Sequence, residues 1–433
     1  MLNGRSSKPW RKTGPVVLLA LLAIFAGARA RAIREDGSYS CTLCHSKIKA
    51  QFLDDIHFKR GITCDRCHGG DPGAFEMEGA KAPSTRYRGK LSKAEGVRLC
   101  ASCHSDEEMM RQYGLSTDQY QQYAVSKHGR MLLGEGNADV AACVDCHGVH
   151  LILPPSDPSS QVFRKNLPYT CAKCHSDEAY MAPYGTPTNQ LDDYLQSVHG
   201  TELIEKNNRA VPECARCHGV HGASAPGTTE VYNVCGQCHP FIREQFMKSP
   251  HFEAEKEGLI EGCVACHGSH RIVRADSELF VKSCQECHAR DSQAFRAGTE
   301  MKDLIDGAWR RYAEGRTELD RAMNDGLIIV DEELMLEEAH TLLINLRTVQ
   351  HTIDVRTVEG EVAKAKSIVN GVITTLEHEL VSIRIYKLVL IPVWIFILGM
   401  VALFAAVLKR RDEGSRLKET EGRLAEDDPD QRS

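Results

Sequence analysis

The chain has no cysteine outside one pattern: all 18 stand in Cys-x-x-Cys pairs, and each pair is followed at once by a His. A disulfide framework would not require that His, and neither would paired zinc ribbons. Sustained alternation of apolar and polar residues, the mark of half-buried strands, is also missing, so the expected fold is mainly α and irregular. There is no excess of positive charge, since the net charge is −6 over 433 residues, and this argues against nucleic acid as a partner. Long apolar runs are absent except near the two ends. The 42% hydrophobic fraction counts those ends and the 18 cysteines, so the Cys-rich middle is poor in the residues that usually build a core.

The Cys-x-x-Cys-His pattern occurs nine times: Cys41, Cys44, His45; Cys64, Cys67, His68; Cys100, Cys103, His104; Cys143, Cys146, His147; Cys171, Cys174, His175; Cys214, Cys217, His218; Cys235, Cys238, His239; Cys263, Cys266, His267; and Cys284, Cys287, His288. This is the attachment signature of c-type haem, in which two thiols add to the porphyrin vinyls and the adjacent His becomes an axial iron ligand. The sequence therefore resembles the multihaem c-type cytochromes over roughly residues 41–288. The resemblance implies nine covalently attached c-type haems (iron) in a haem-packed domain over 31–290. The 248 residues from Cys41 to His288 leave about 28 per haem, so porphyrins would furnish much of the buried apolar area and lie close together.

Internal repetition organises this region. The segments His104–Gly129 and His175–Gly200 are both 26 residues long and match at 13 positions, Tyr123/Tyr194 among them. A shorter match joins His45–Phe58 to His239–Phe252. The unit is a motif, a connector, a lone His, a second motif and usually Gly-x-His. Four units begin at Cys41, Cys100, Cys171 and Cys235, and the motif at Cys284 stands alone. The connectors read as short helices, with Ser105 and Ser176 as caps and Gly114 and Gly185 as stops. Besides the nine motif histidines the region offers seven more as distal ligands: His57, His128, His150, His199, His221, His251 and His270. Two sites are thereby left short. The expected ones are His68, whose motif is followed by Gly69-Gly70-Asp71, and the solitary His288.

Each end of the chain carries an apolar run. Arg5, Lys8, Arg11 and Lys12, the run Val16–Ala26 and Ala28-Arg29-Ala30 fit a secretory signal over residues 1–30. Leu388–Leu408 is 21 residues without a charge, enough for one transmembrane helix, placed at 387–409. Lys409, Arg410 and Arg411 follow, which puts the C-terminus in the cytoplasm and the Cys-rich domain in the periplasm of a cell with its anchor in the inner membrane. The charged tail, 410–433, is expected to be disordered.

A helical domain is expected over 291–386. One helix covers Ser292–Met323, a second runs from an Asp331 cap to Asn370-Gly371, and a third continues from Val372 into the membrane. His340 and His351, eleven residues apart, return to nearly the same helix face. They are candidates for the two missing ligands or else polar residues on a solvated face. His378 suggests a base for quinol deprotonation but sits about 15 Å from the apolar span by helix rise, which favours an exposed residue. Glu337–His340 through His351 weakly resembles the C-terminal helices of pentahaem nitrite reductases and octahaem hydroxylamine oxidoreductases. No motif here ends in Lys, so the lysine-ligated site of the nitrite reductases is absent. The favoured expectation is an electron relay between a quinol-oxidising membrane complex and periplasmic or outer-membrane cytochromes and reductases, as in anaerobic respiration. A terminal reductase with one open haem, acting on nitrite, hydroxylamine or a sulfur oxyanion, is the alternative; direct quinol oxidation is another.

Overall fold

The computed structural model describes residues 39–223 and 231–426. The expected signal segment lies outside them. The chain divides into two compact units, one comprising residues up to Gly227 with Gly268–Arg274, the other Thr228–His267 with the chain from Ala275 onward. Among the described residues there is no strand, and the expectation of a mainly α, irregular fold is met.

The first unit holds six of the motifs on short helices. They lie on Ser40–Cys44, Cys64–His68, Lys93–His104, Cys143–His147, Leu167–His175 and Cys214–His218, with the first His at the C-cap. Between them the repeat is visible in detail. Caps of the next turn are Asp106 and Asp177, whose carboxylates accept from the Met109 and Tyr180 amides at 2.9 and 3.0 Å. Ser105 and Ser176, expected in that role, instead close the preceding motif helices. A carboxylate one residue later reaches the same orphan amides and also suits the positive end of the helix. Gly114 and Gly185 end the turn at φ 64° and 60°, where a side chain would be strained.

Each lone His then sits on its own short helix. Ser126 and Ser197, both 1% exposed, accept from the Gly129 and Gly200 amides at 3.0 and 2.9 Å. Their hydroxyls donate to the Tyr123 and Tyr194 carbonyls at 2.6 Å. Those glycines are required by space, because a Cβ would overlap the Tyr123 or Tyr194 carbonyl oxygen. The two tyrosine hydroxyls reach on to the Ala141 and Pro212 carbonyls just before the next motif. Apolar packing here is thin, and the one cluster is Val97, Met131, Leu132, Val140 and Ala142.

In the second unit three motifs are followed by three long helices: α1 (Gln293–Asn324), α2 (Val330–Val349) and α3 (Val355–Glu426). Ser292 caps α1 by accepting from the Phe295 amide at 3.1 Å. Asp331, the expected cap, lies in the acidic first turn of α2, two residues past the observed cap Ile329. The expected break at Asn370-Gly371 does not occur. α2 stops at Val349, a 3-10 turn covers Gln350–Thr352, and Ile353 at φ 50° redirects the chain into α3. Gly371 costs a helix about 1 kcal/mol, but Val369, Val372 and Ile373 around it are buried, which outweighs that. Two apolar clusters hold the helices together, one around Leu319, Leu336 and Leu376, the other around Met301, Leu343, Leu346 and Val362.

α3 contains one segment long and apolar enough to cross a membrane. Leu388–Leu408 would span about 31 Å at 1.5 Å per residue. The helix then continues to Glu426 rather than ending in the expected disordered tail. Arg, Lys, Glu and Leu dominate that stretch, all good helix formers.

Candidate functional site

In a helix, positions i, i+3 and i+4 share a face. A Cys-x-x-Cys-His run therefore turns two thiols and an imidazole the same way. Glycines after four of the motifs, Gly69, Gly148, Gly219 and Gly268, have φ between 68° and 88° and end the turn at the His.

Opposite seven motif histidines stands a lone one. In the first unit the ring centres of His57 and His104 are 6.0 Å apart, His68 and His150 6.2 Å, His128 and His175 6.1 Å, His147 and His221 6.2 Å, and His218 and His270 5.9 Å. In the second unit His251 and His288 are 6.1 Å apart, and His267 and His351 6.2 Å. A metal–imidazole bond is about 2.0–2.1 Å and the ring centre lies about 1.1 Å behind the nitrogen, so two imidazoles on opposite sides of one ion are ~6.2 Å apart. The pairs have that spacing. Among the described residues no group of three or more His, Cys, Asp or Glu gathers as a bare-ion site would require. Each pair thus suits an ion whose remaining ligands come from elsewhere.

The pairing follows a register. Three of the four connector histidines meet the first-motif His of the next repeat: His57 with His104, His128 with His175, His251 with His288. Each trailing His meets the second-motif His of the preceding repeat: His150 with His68, His221 with His147, His270 with His218. Backbone contacts hold this register. Ile56 donates to the Ile152 carbonyl at 2.9 Å and Val198 to that of Ile272 at 3.0 Å, so the segment two residues past a trailing His is pinned to a connector helix. Asp55, 1% exposed, accepts from the Ile152 amide at 2.6 Å and from the His57 amide at 2.7 Å.

Nitrogens facing away from the partner ring are tied down. His68 Nδ1 is 2.8 Å from the Gly89 carbonyl, His57 Nδ1 3.1 Å from Asp55 Oδ1, and His351 Nδ1 3.2 Å from the Thr348 carbonyl. Such bonds fix the tautomer and leave Nε2 as the donor. Burial lowers the pKa of His104, His128, His147, His150, His175, His221, His251, His267, His270 and His351, in most cases reinforced by a neighbouring imidazole. These rings stay neutral at pH 7 and keep a lone pair to donate.

Thiols repeat the same order. The first thiols of the two motifs in each repeat are hydrogen-bonded: Cys41 with Cys64, Cys100 with Cys143, Cys171 with Cys214, Cys235 with Cys263. That bond raises the pKa of Cys41, Cys100, Cys171 and Cys263 and lowers it in the partner. Between repeats, burial raises Cys67, Cys146 and Cys266, and each also feels a thiol of the following motif, Cys100, Cys171 or Cys284. Four such contacts would leave ten cysteines over as disulfides, so they do not explain the cysteine count.

Three expectations change. His340 is not opposite a motif His; its ring stacks on Tyr312 at 5.3 Å and meets the edge of Trp309 at 5.9 Å. The rigid α2 carries it into the helix bundle, whereas the turn at 350–352 frees His351 to reach His267. His68 and His288, expected to lack partners, have them in His150 and His251. Of the nine motif histidines, His45 and His239 stand outside these seven pairs; His239 makes contacts of its own, and His45 is exposed. His199 occupies the position of His128 in its repeat, behind the Ser197 cap. His378 is exposed on α3. The buried caps two residues before each lone His (Asp55, Ser126, Ser197, Ser249) went unread in the sequence, although their constant spacing was there to find.

No protein-family model matches the chain, and neither a curated protein nor a solved structure is significantly similar to it.

Proposed function

We propose that this chain is a membrane-anchored periplasmic nonahaem c-type cytochrome that relays electrons from the quinol pool, or from a quinol-oxidising partner, to periplasmic or outer-membrane acceptors. The observation that carries this reading is the set of seven His pairs at 5.9–6.2 Å, each joining a motif His to a lone one. The donor set fits c-type haem: two thiols that would attach it covalently and two facing imidazoles that would hold its iron. When bound, the haem supplies a one-electron iron carrier.

The chain's own residues do the rest. The seven imidazole pairs would hold the iron between them and would leave no place for a substrate at those sites. Hydrogen bonds at Nδ1 hold the His57, His68 and His351 rings in one orientation. Thiol contacts within and between repeats keep successive attachment points adjacent, which favours transfer along each row. Lys409, Arg410 and Arg411 after the apolar segment support an inner-membrane anchor with a cytoplasmic C-terminus.

Film voltammetry of the full haem-loaded chain separates relay from reductase. A relay gives a reversible nine-electron envelope unchanged by nitrite, hydroxylamine or sulfite. A catalytic wave with any of them would favour the terminal reductase, the reading to which the unpartnered His45 lends support.

A further inference from the structure

The pairing register has two ends, and the chain treats them differently. His267, in the last repeat, has no following repeat to send a trailing His. His351 fills the place from the turn between α2 and α3, its ring 6.2 Å from that of His267. His45, in the first repeat, has no preceding connector to send a lone His. The first repeat also lacks a trailing His, with Gly69-Gly70-Asp71 where the others carry one, and residues 1–40 hold no motif for such a His to serve. The rule therefore accounts for both anomalies of the first repeat.

No other histidine makes good the difference. Of the 19 in the chain, seven lone ones are paired as described, His340 is stacked on Tyr312 and His378 is exposed on α3. His199 makes contacts of its own, and none of the ring contacts includes His45. His45 is exposed, as are Leu43, Cys44, Ser46 and Lys47 beside it, so solvent reaches this motif.

We infer that His45 serves a haem to which the described residues supply one imidazole only, leaving a position for an exchangeable small ligand that binds iron through carbon or nitrogen. This rests on the haem reading above. His45 is then a ligand-binding position, whereas His267 is closed by His351 from the turn after α2.

The test uses the full chain with its anchor, in detergent, after intact mass has established nine haems; a lower count speaks against the haem reading and not against His45. The reduced protein is examined by resonance Raman and titrated with carbon monoxide. Expected are an iron–histidine stretching band of five-coordinate haem, its loss on adding carbon monoxide, and one equivalent less gas bound by Cys41→Ser/Cys44→Ser, which carries eight haems. Should that variant fail to accumulate, His45→Met in the loaded chain must abolish the iron–histidine band with the haem count unchanged. His351→Ala is the positive control and should add one equivalent. A nine-haem protein that is wholly low-spin and ignores the gas would overturn the inference, as a distal donor from the N-terminal segment or a second copy would produce. So would carbon monoxide binding that survives undiminished in Cys41→Ser/Cys44→Ser.

Discussion

Among the described residues, 39–288 bury eleven hydrophobic side chains, whereas 293–380, about a third as long, bury eighteen. The helical region is an ordinary protein core, with Leu, Val and Ala from three helices interlocked. Gly315 lets α1 approach Val369 and Leu336. The repeat region is held by caps, backbone bridges and paired rings, and its chief cluster has five buried residues. Burial that small does not offset the conformational entropy of so many ordered residues. The contrast teaches that one region is stable through its own side chains, whereas the other needs a further source of buried apolar area, which the proposed haems would supply.

The sharpest way to break this comparison is to withhold attachment. Full chain made in a host without haem maturation should show fast amide exchange across residues 39–288 and protected helices over 293–380. Protection of both regions would mean that the repeats need no prosthetic group. Next in size is Leu336→Ala, which should cost the bundle about 2–5 kcal/mol in denaturant unfolding while leaving the visible spectrum of the loaded protein unchanged. A spectral change would show that the two regions are not energetically separate.

His340 and His351 sharpen the boundary. His351→Ala should convert one low-spin signal to high-spin in electron paramagnetic resonance. His340→Ala should leave every haem signal intact and cost about 0.5–1.5 kcal/mol for the lost stacking on Tyr312 and Trp309. The reverse result would move the ligand to α2. The smallest effect concerns acid. Burial pushes the Asp306 carboxyl up, but the Lys302 ammonium and the Ser277 hydroxyl outweigh it and hold the pKa below the usual range. A depressed folded pKa contributes stability above the unfolded value of about 3.9, and that stability is lost as pH falls through the folded value. The melting-temperature difference between wild type and Asp306→Asn should therefore be constant above about pH 5 and shrink below about pH 4. A difference that grew in acid would contradict the assignment.

How much of this was legible beforehand depends on the distance over which each feature is decided. Motifs, repeats and lone histidines are local and were readable. So were the positive-φ turns at Gly114 and Gly185 and the end of α1 near Asn324. The boundary between α2 and α3 was not, because Gly371 looks like a stop until Val369 and Val372 are seen buried against α1 and α2. The partner of each lone His was unreadable for the same reason. The lone histidines could be counted, but which repeat meets which is set by the Ile56–Ile152 and Val198–Ile272 bridges. That is why His68 and His288, expected to lack partners, have them in His150 and His251.

The central claim is most directly met by the intact mass of the mature full chain, read together with alkylation of the denatured protein. The account predicts nine covalent haem additions and no alkylatable thiol among the 18 cysteines. A haem-free mass, with all 18 thiols alkylated or joined in disulfides, would contradict it.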